Sequence, residues 1–215
     1  MSALYTVDAI EGGGFAAKLS NGGHLSYHPG FLSAEFSSQL LSGYKTSLIW
    51  EQSQIKLFGK EIPIPRLNAW YADPGCDYGY TGTRLTLQHW TPELIMLKNL
   101  VESASHTTFN SVLVNWYRNG QDSMGWHSDD EAILGRDPSI ASVSLGSARR
   151  FLLRHKGQGN RTNQMEIMLE SGSLLLMHGS LQHHWKHSLP KTRACSAERI
   201  NLTFRQINIP DSVSG

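Results

Sequence analysis

Cysteine is scarce in this 215-residue chain: Cys76 and Cys195 stand far apart and outside any CxxC pattern. That argues against a disulfide framework and suits a reducing, cytosolic setting. Long apolar runs are also missing. The longest aliphatic stretch, Leu174 to Met177, falls far short of the ~18 residues a membrane span needs. The N-terminus MSALYTVDAIEGGG has neither the basic start nor the apolar core of a signal peptide. Excess charge of either sign is absent too, with a formal net charge of +1 and 17% charged residues. The whole-molecule field therefore gives no argument for nucleic acid, and any such binding must come from a local patch. What remains is an ordinary folded composition, 40% hydrophobic, at a length that suits one well-cored domain. The expectation is a monomeric, cytoplasmic domain (nuclear in a eukaryote) with no membrane partner.

Residues 1–24 carry Gly12-Gly13-Gly14 and Gly22-Gly23 with little periodicity, which predicts a loosely held, poorly ordered lead-in. A short strand at Leu25 to His28 is stopped by Pro29-Gly30. A helix is then predicted from Ser33 to Gly43, burying Phe36, Leu40 and Leu41. Ser47 to Trp50 reads as extended. Ile55 to Phe58 and Ile62 to Pro65 read as an edge hairpin turning at Gly59-Lys60. Phe58 beside its tip either tucks back onto the domain or stands exposed. Ala69 to Tyr71 and Tyr78 to Tyr80, with a turn at Asp73-Pro74-Gly75, suggest a second aromatic hairpin. Tyr78 and Tyr80 share a face across Gly79, either as cross-strand packing or as a surface for a flat ligand.

The clearest helix spans Thr91 to Ala104. Thr91 caps it, Pro92 takes the first turn, and Leu94, Leu97, Leu100, Val101 and Ala104 form its buried stripe. After Phe109 the pattern becomes short strands: Ser111–Tyr117, Ser139–Leu145, Arg149–Arg154, Met165–Leu169, Ser173–Met177 and Arg199–Arg205. Such strands, joined by Gly- and Pro-containing turns, argue for a β-sandwich or jelly roll with the helices outside it.

Chemistry concentrates between Asn110 and Asp130. His127 and Asp129 are separated by one residue and can face one metal ion from an extended segment. A third ligand could come from His178, His183, His184 or His187. Two histidines and a carboxylate leave open coordination positions, a set that suits non-haem Fe(II) oxygen chemistry. In the last strand Ile200, Leu202 and Phe204 face a core, while Arg199, Asn201, Thr203 and Arg205 face the other way. If that face is inside, the two cations require an anion, and a dicarboxylate fits arginine geometry. Otherwise the face is solvent-exposed at a sheet edge. Asn115 and Tyr117 share a face of their own strand and can donate to an oxygen ligand.

Several motifs occur together and in order: FGK (58–60), PR (65–66), YGYTG (78–82), NWY (115–117), HSDDE (127–131), SLGSARRFLLRHK (144–156), HWKHSLP (184–190) and RINLTFR (199–205). By them the chain resembles the AlkB-type Fe(II)/2-oxoglutarate dioxygenases, nearest the branch that repairs alkylated DNA. The resemblance implies an α+β fold with a mainly β core: a double-stranded β-helix (jelly roll) flanked by N-terminal helices and a nucleotide-recognition lid of hairpins. One domain would cover 25–208, with the lid at about 50–90 and the core at about 109–207. The iron ligands would be His127, Asp129 and His187. The 2-oxoglutarate site would hold Asn115, Tyr117, Arg199, Asn201, Thr203 and Arg205, with Arg199 at the distal carboxylate. Phe58, Gly59, Lys60, Tyr78, Gly79 and Tyr80 would surround or replace a flipped base, and Asp130 would contact its exocyclic amine and serve catalysis. The implied reaction is oxidative demethylation of bases of the 1-methyladenine and 3-methylcytosine type with Fe(II), 2-oxoglutarate and O2. RNA or protein is the alternative substrate, and an inactive nucleic-acid-binding module the remote one.

For backbone grip, Arg149, Arg150, Arg154, Lys156 and Arg161 form the only concentrated basic run, either solvated or phosphate-binding. Arg149 and Arg150 alternate, so one of them could turn inward. Beyond HSLP the chain carries only Lys191 and Arg193 as cations. Duplex-acting relatives carry a fuller basic cluster there.

Overall fold

The computed structural model describes residues 4–57, 59–76, 85–157, 164–194 and 197–209. Phe58, Tyr78, Gly79, Tyr80, Arg161 and Cys195 lie outside the described residues. Fifteen strands and three α-helices are present among those that are described.

The organising unit is the eight strands from β8 to β15, in two facing layers. β8 (Ser111–Tyr117), β15 (Arg199–Arg205), β10 (Ile140–Gly146) and β13 (Leu174–Gly179) lie side by side in one sheet. The second sheet runs β12 (Gln164–Leu169), β11 (Arg149–His155), β14 (Trp185–Leu189) and β9 (Met124–His127). Apart from the β11–β12 hairpin, chain order therefore alternates between layers, the winding of a jelly roll. The first sheet is extended on one side by β3 (Gly23–His28), β2 (Phe15–Leu19) and β1 (Tyr5–Ala9). On the other side it continues through β6 (Leu67–Ala72) and the short parallel β7 (Leu87–Gln88). β4 (Gln54–Leu57) and β5 (Lys60–Pro63) form a separate hairpin. No helix among the described residues is long and apolar enough to cross a membrane.

The extended sheet corrects the reading of residues 1–24. Far from a loose lead-in, β1 and β2 are antiparallel neighbours, and β2 hands the sheet on to β3. The burial is one-sided: Ala17 and Leu19 of β2 face the core, while β1 is exposed beyond the half-buried Tyr5. With only two or three apolar anchors the periodic signal is weak, and backbone pairing supplies the order.

Two apolar layers flank the large sheet. On one face α1 (Ala34–Ser47) and α2 (Pro92–Ser105) bring Leu40, Tyr44, Leu94, Leu97 and Val101 into one cluster with Val112, Val114, Val143, Leu145, Ile200, Leu202 and Phe204. Each such burial is worth about 1.5–3 kcal/mol. Between the sheets Leu113, Ile140, Leu153, Ile167, Leu169, Met177 and Trp185 form the second cluster. The Ser33 hydroxyl caps α1 by accepting from Phe36 N–H (3.2 Å), and Thr91 caps α2 by accepting from Leu94 N–H (3.3 Å). α1 runs one turn past Gly43, because the Tyr44 ring is buried and its carbonyl accepts from Leu48 N–H. Leu100 and Ala104, assigned above to the buried stripe of α2, are exposed. Of the extended segment expected at 47–50, Ser47 ends α1 and Leu48 caps it in extended backbone, with no strand before the isolated bridge from Glu51 to Asn68. Ala69 to Tyr71 belongs to β6 in the large sheet, paired with β8.

Gly146 turns β10 into β11 with φ 85°. A side chain there would meet the Glu198 carbonyl at 2.6 Å, so both the backbone conformation and the space require glycine.

Candidate metal centre and anion pocket

The two sheets enclose a cavity lined by Asn115, Tyr117, Met124, His127, Asp129, Phe151, His187, Arg199, Asn201, Thr203 and Arg205. Strand pairing builds it. His127 ends β9, and His187 sits directly opposite on β14. Their rings approach edge-on with centroids 4.2 Å apart, and Phe151 stacks on the far side of His187 at 5.2 Å. Asp129 lies two residues beyond the strand, in a loop rather than on an alternating strand face. His127, Asp129 and His187 each offer a ligand atom, all within 4.8 Å of one another, and no other such group of three exists among the described residues. His178 bonds to Ser139 instead, at 3.0 Å.

The protonation states suit a cation. Nδ1 of His127 lies 2.9 Å from the Gly125 carbonyl, so Nδ1–H donates there and Nε2 keeps a lone pair for a metal. Burial above all, with His127 and Arg205 in the same direction and Asp129 opposing, pushes His187 down to about 3. Burial raises the Asp129 carboxyl, but Arg205 and the two imidazoles outweigh it and hold the group at about 2. The result is a neutral buried His187, an ionised Asp129 and the Nε2 of His127 on a single concavity, the donor set of a facial triad with open positions. Arg205 fixes the carboxylate from behind, with its guanidinium 3.0 Å from Asp129 Oδ2.

The same balance predicts acid sensitivity. A buried histidine with a depressed pKa leaves stability intact above the ordinary value of ~6.5, and stability is lost as the pH falls toward 3. Asp129 keeps its charge throughout that range and contributes no loss above pH 4. The metal-free chain should therefore melt at a lower temperature at pH 5 than at pH 7. Equal melting temperatures would contradict the assigned burial.

The strand β15 lies inside the sheet between β10 and β8, and all seven of its residues are buried, which removes the edge-strand reading. Ile200, Leu202 and Phe204 face the helices, and Arg199, Asn201, Thr203 and Arg205 face the cavity. Arg199 is 2% exposed. One terminal nitrogen donates to Ser144 Oγ at 2.9 Å, its plane lies 5.3 Å from the Tyr117 ring centroid, and Nε has no hydrogen-bond partner. Burial lowers its pKa to about 10, so the guanidinium stays charged at neutral pH. No carboxylate lies within ion-pair reach of it among the described residues. A buried cation without a counter-charge is costly, and an anion in the cavity would relieve that cost.

Asn115 is oriented by two donors. Arg66 Nε (2.9 Å) and Asn68 Nδ2 (2.7 Å) both bond to its Oδ1, leaving its NH2 end to face a ligand. Asn201 differs: its NH2 donates to Ser142 Oγ and the Val143 carbonyl, and its Oδ1 accepts from Thr203. It lines the cavity with its hydrogen bonds already made inside the protein. Ser142 and Asn68 were not singled out from the sequence, and Arg66 and Ser144 only as members of the PR and SLGSARRFLLRHK motifs, without a role. Ser142 and Ser144 could have been found as a period-two polar pair within an otherwise apolar strand.

The basic run divides. Arg149 is buried at 2% and donates to the carbonyls of Asn119 (3.2 Å), Asp122 (2.9 Å) and Pro190 (2.7 Å), so it is a structural tie and not a phosphate contact. Arg149→Met should cost about 2–4 kcal/mol in urea unfolding, because buried carbonyls lose their donor. An unchanged midpoint would contradict that role. Arg150 faces out in a two-pronged pair with Glu166 (2.9 and 2.7 Å), and Arg154 lies 4.1 Å over the Trp126 ring. Lys156 bonds to Asp130 at 2.8 Å, and both are partly solvent-exposed. Gly59 lies in the exposed turn of the β4–β5 hairpin, and Lys60 opens β5, also exposed.

Comparison with known proteins agrees with this geometry. The model of the 2OG-Fe(II) oxygenase superfamily matches residues 24–205. The chain is 39% identical over 188 residues to the bovine Alpha-ketoglutarate-dependent dioxygenase alkB homolog 3, covering 83% of this chain and 64% of that protein. It is 41% identical over 160 residues to the mouse DNA oxidative demethylase ALKBH2, covering 72% of this chain and 67% of that protein. The alignment with the human alkB homolog 3 spans 65% of its length at 39% identity. Among solved structures, "The structure of OsALKBH1" superposes with a TM-score of 0.60 at 19% identity, over 85% of this chain and 97% of that one, a likeness of fold. With a jelly roll, a His-Asp-His cluster and a family match over most of its length, the chain belongs to the 2OG-Fe(II) oxygenase superfamily.

Proposed function

We propose that this chain is an Fe(II)- and 2-oxoglutarate-dependent oxidative demethylase of N-alkylated bases in DNA, acting as one monomeric domain that includes the N-terminal strands β1 and β2. The observation that carries the reading is Arg199, a buried charged guanidinium without a carboxylate partner among the described residues, on the same cavity as the His-Asp-His cluster. One cavity thus offers a divalent-metal site and a buried anion site, the two things a keto-diacid cosubstrate needs. His127, Asp129 and His187 would hold iron. Arg199, with Tyr117, would take the distal carboxylate, and Asn115, Thr203 and Arg205 the rest of the cosubstrate.

The chemistry such a centre supplies when loaded is hydroxylation of the N-methyl carbon with O2, with formaldehyde released, the base restored, and 2-oxoglutarate converted to succinate and CO2. The chain's own tasks are to orient and to exclude. Arg205 keeps the Asp129 carboxylate ionised and turned toward the two imidazoles. Phe151 and Leu189, with Met177, give the cavity apolar walls that limit water. Tyr78 and Tyr80 with Gly79 would stack on the flipped base, Phe58 with Gly59 and Lys60 would fill its vacated place, and Asp130 would accept from its exocyclic amine. Arg150, Arg154 and Arg161 would approach phosphates. The relatives named above for DNA oxidative demethylation support the substrate class.

The test is a panel of oligonucleotides carrying 1-methyladenine or 3-methylcytosine, as DNA and as RNA, single- and double-stranded, read by loss of one methyl mass. Loss on DNA that requires both Fe(II) and 2-oxoglutarate is the expected result. Loss on RNA alone would overturn the substrate assignment, and no cosubstrate turnover at all would overturn the enzyme.

A further inference from the structure

We propose that Gln182 is a positioning residue for Asp129, and that Lys156 serves the same brace instead of a nucleic-acid phosphate. The inference rests on reading His127, Asp129 and His187 as a metal centre. Those three residues are not held alike. The histidines face each other across the β9–β14 pair, so the backbone ladder fixes both. Asp129 lies beyond the end of β9, where no ladder reaches it. A carboxylate on an unsupported loop would wander by more than the ~0.5 Å a metal site tolerates.

The loop is tied down by the segment that leads into His187. Gln182 lies in the one-turn helix α3 (Leu181–His184) and is fully buried, at 0% exposure. Its Oε1 accepts the Asp129 backbone N–H at 3.0 Å, and its Nε2 contacts Met177 Sδ at 3.7 Å. Ser128 Oγ donates to the Trp185 carbonyl at 3.0 Å. Lys156 closes the frame: its Nζ lies 2.9 Å from the Gln182 carbonyl and 2.8 Å from Asp130 Oδ2, and its N–H donates to the His184 carbonyl at 2.7 Å. Residues 128, 129 and 130 are therefore each fastened to residues 182–185 or to a lysine bonded to them. The brace locks the carboxylate ligand to the strand that carries His187. A glutamine buried against a thioether has no other evident reason to be polar, since methionine or leucine would fill that space without a hydrogen-bonding obligation.

Cobalt(II) titration, read by its visible ligand-field bands and accompanied by melting of the metal-free chain, tests this. Gln182→Met keeps the length and removes the acceptor. It should weaken Co(II) binding roughly 10- to 100-fold, the usual scale for losing a residue that orients a ligand, and alter the band pattern. Val101→Ala, a core truncation on α2, should lower the melting temperature and leave Co(II) affinity and bands unchanged, which separates positioning from general loosening. Lys156→Met, on a partly exposed side chain, keeps the test open if Gln182→Met does not fold. It should weaken Co(II) binding several-fold, with the salt dependence of DNA binding unchanged. Wild-type Co(II) affinity in Gln182→Met, or in Lys156→Met where that variant stands in, overturns the brace. A salt slope reduced by about one in Lys156→Met would return that residue to phosphate contact. A wild-type chain that takes up no cobalt overturns the underlying metal centre as well.

Discussion

Asp129→Ala is expected to take 2-oxoglutarate turnover below detection and to weaken Co(II) or Fe(II) binding by more than about 100-fold, beyond the usual cost of losing an orienting neighbour. Two effects act together. Only His127 and His187 remain to hold the metal, and a pair of neutral imidazoles supplies no negative charge to a divalent ion. Arg205, 6% exposed and 3.0 Å from the missing carboxylate, also becomes a buried cation facing that ion. Asp129→Asn separates the two. It keeps the shape and one oxygen donor, so folding should be nearly normal, while the metal loses its anionic ligand and Arg205 its counter-charge. Isothermal titration with Co(II) and a turnover assay on both variants check the prediction. Metal affinity in Asp129→Asn equal to wild type would mean that this carboxylate is not a ligand.

Why Asp129 was legible and its support was not is a matter of range in sequence. H-x-D is a local pattern, and the arginine strand β15 declares itself through period two: Ile200, Leu202 and Phe204 against Arg199, Asn201, Thr203 and Arg205. That alternation is what a strand between two unlike layers must show, and β15 has helices on one face and the cavity on the other. Six of the jelly-roll strands were legible as short runs bounded by Gly- and Pro-containing turns. β9 and β14 were not. Met124–His127 carries a register shift against β14, and Trp185–Leu189 alternates aromatic and polar residues without a clear apolar face. Choosing His187 among the C-terminal histidines needed the family resemblance, because the choice depends on cross-strand register. Gln182 is further from reach still, since its partner lies 53 residues away and glutamine in a short helix carries no local signal. Arg149 failed in the opposite sense. It sits in a basic run that reads as surface, but strand alternation turns it inward onto three carbonyls while Arg150 turns out.

The pocket's two arginines differ in what they already hold, and this sets the second large effect. Arg205 is committed to Asp129 at the metal end. Arg199 lies six residues away along β15, about 20 Å at strand rise, and it meets the Ser144 hydroxyl and the Tyr117 ring, neither of them a carboxylate. Arg199→Met should therefore weaken 2-oxoglutarate binding by about 2–5 kcal/mol, the range for removing one partner of a buried charge pair, or roughly 30- to several-thousand-fold. Metal affinity should be unaffected, because no triad member contacts Arg199. Stability should also respond unlike an ordinary core lesion. Without cosubstrate, Arg199 is a desolvated cation whose removal relieves a cost, so the metal-free variant should melt at or above the wild-type temperature. With saturating 2-oxoglutarate the order should reverse, since only the wild type gains binding energy from the ligand. Melting curves of the metal-free chain, and of the Co(II)-loaded chain with saturating 2-oxoglutarate, measure both effects. A variant that keeps wild-type cosubstrate affinity would remove Arg199 from the carboxylate site. Equal destabilisation with and without ligand would make it a structural residue.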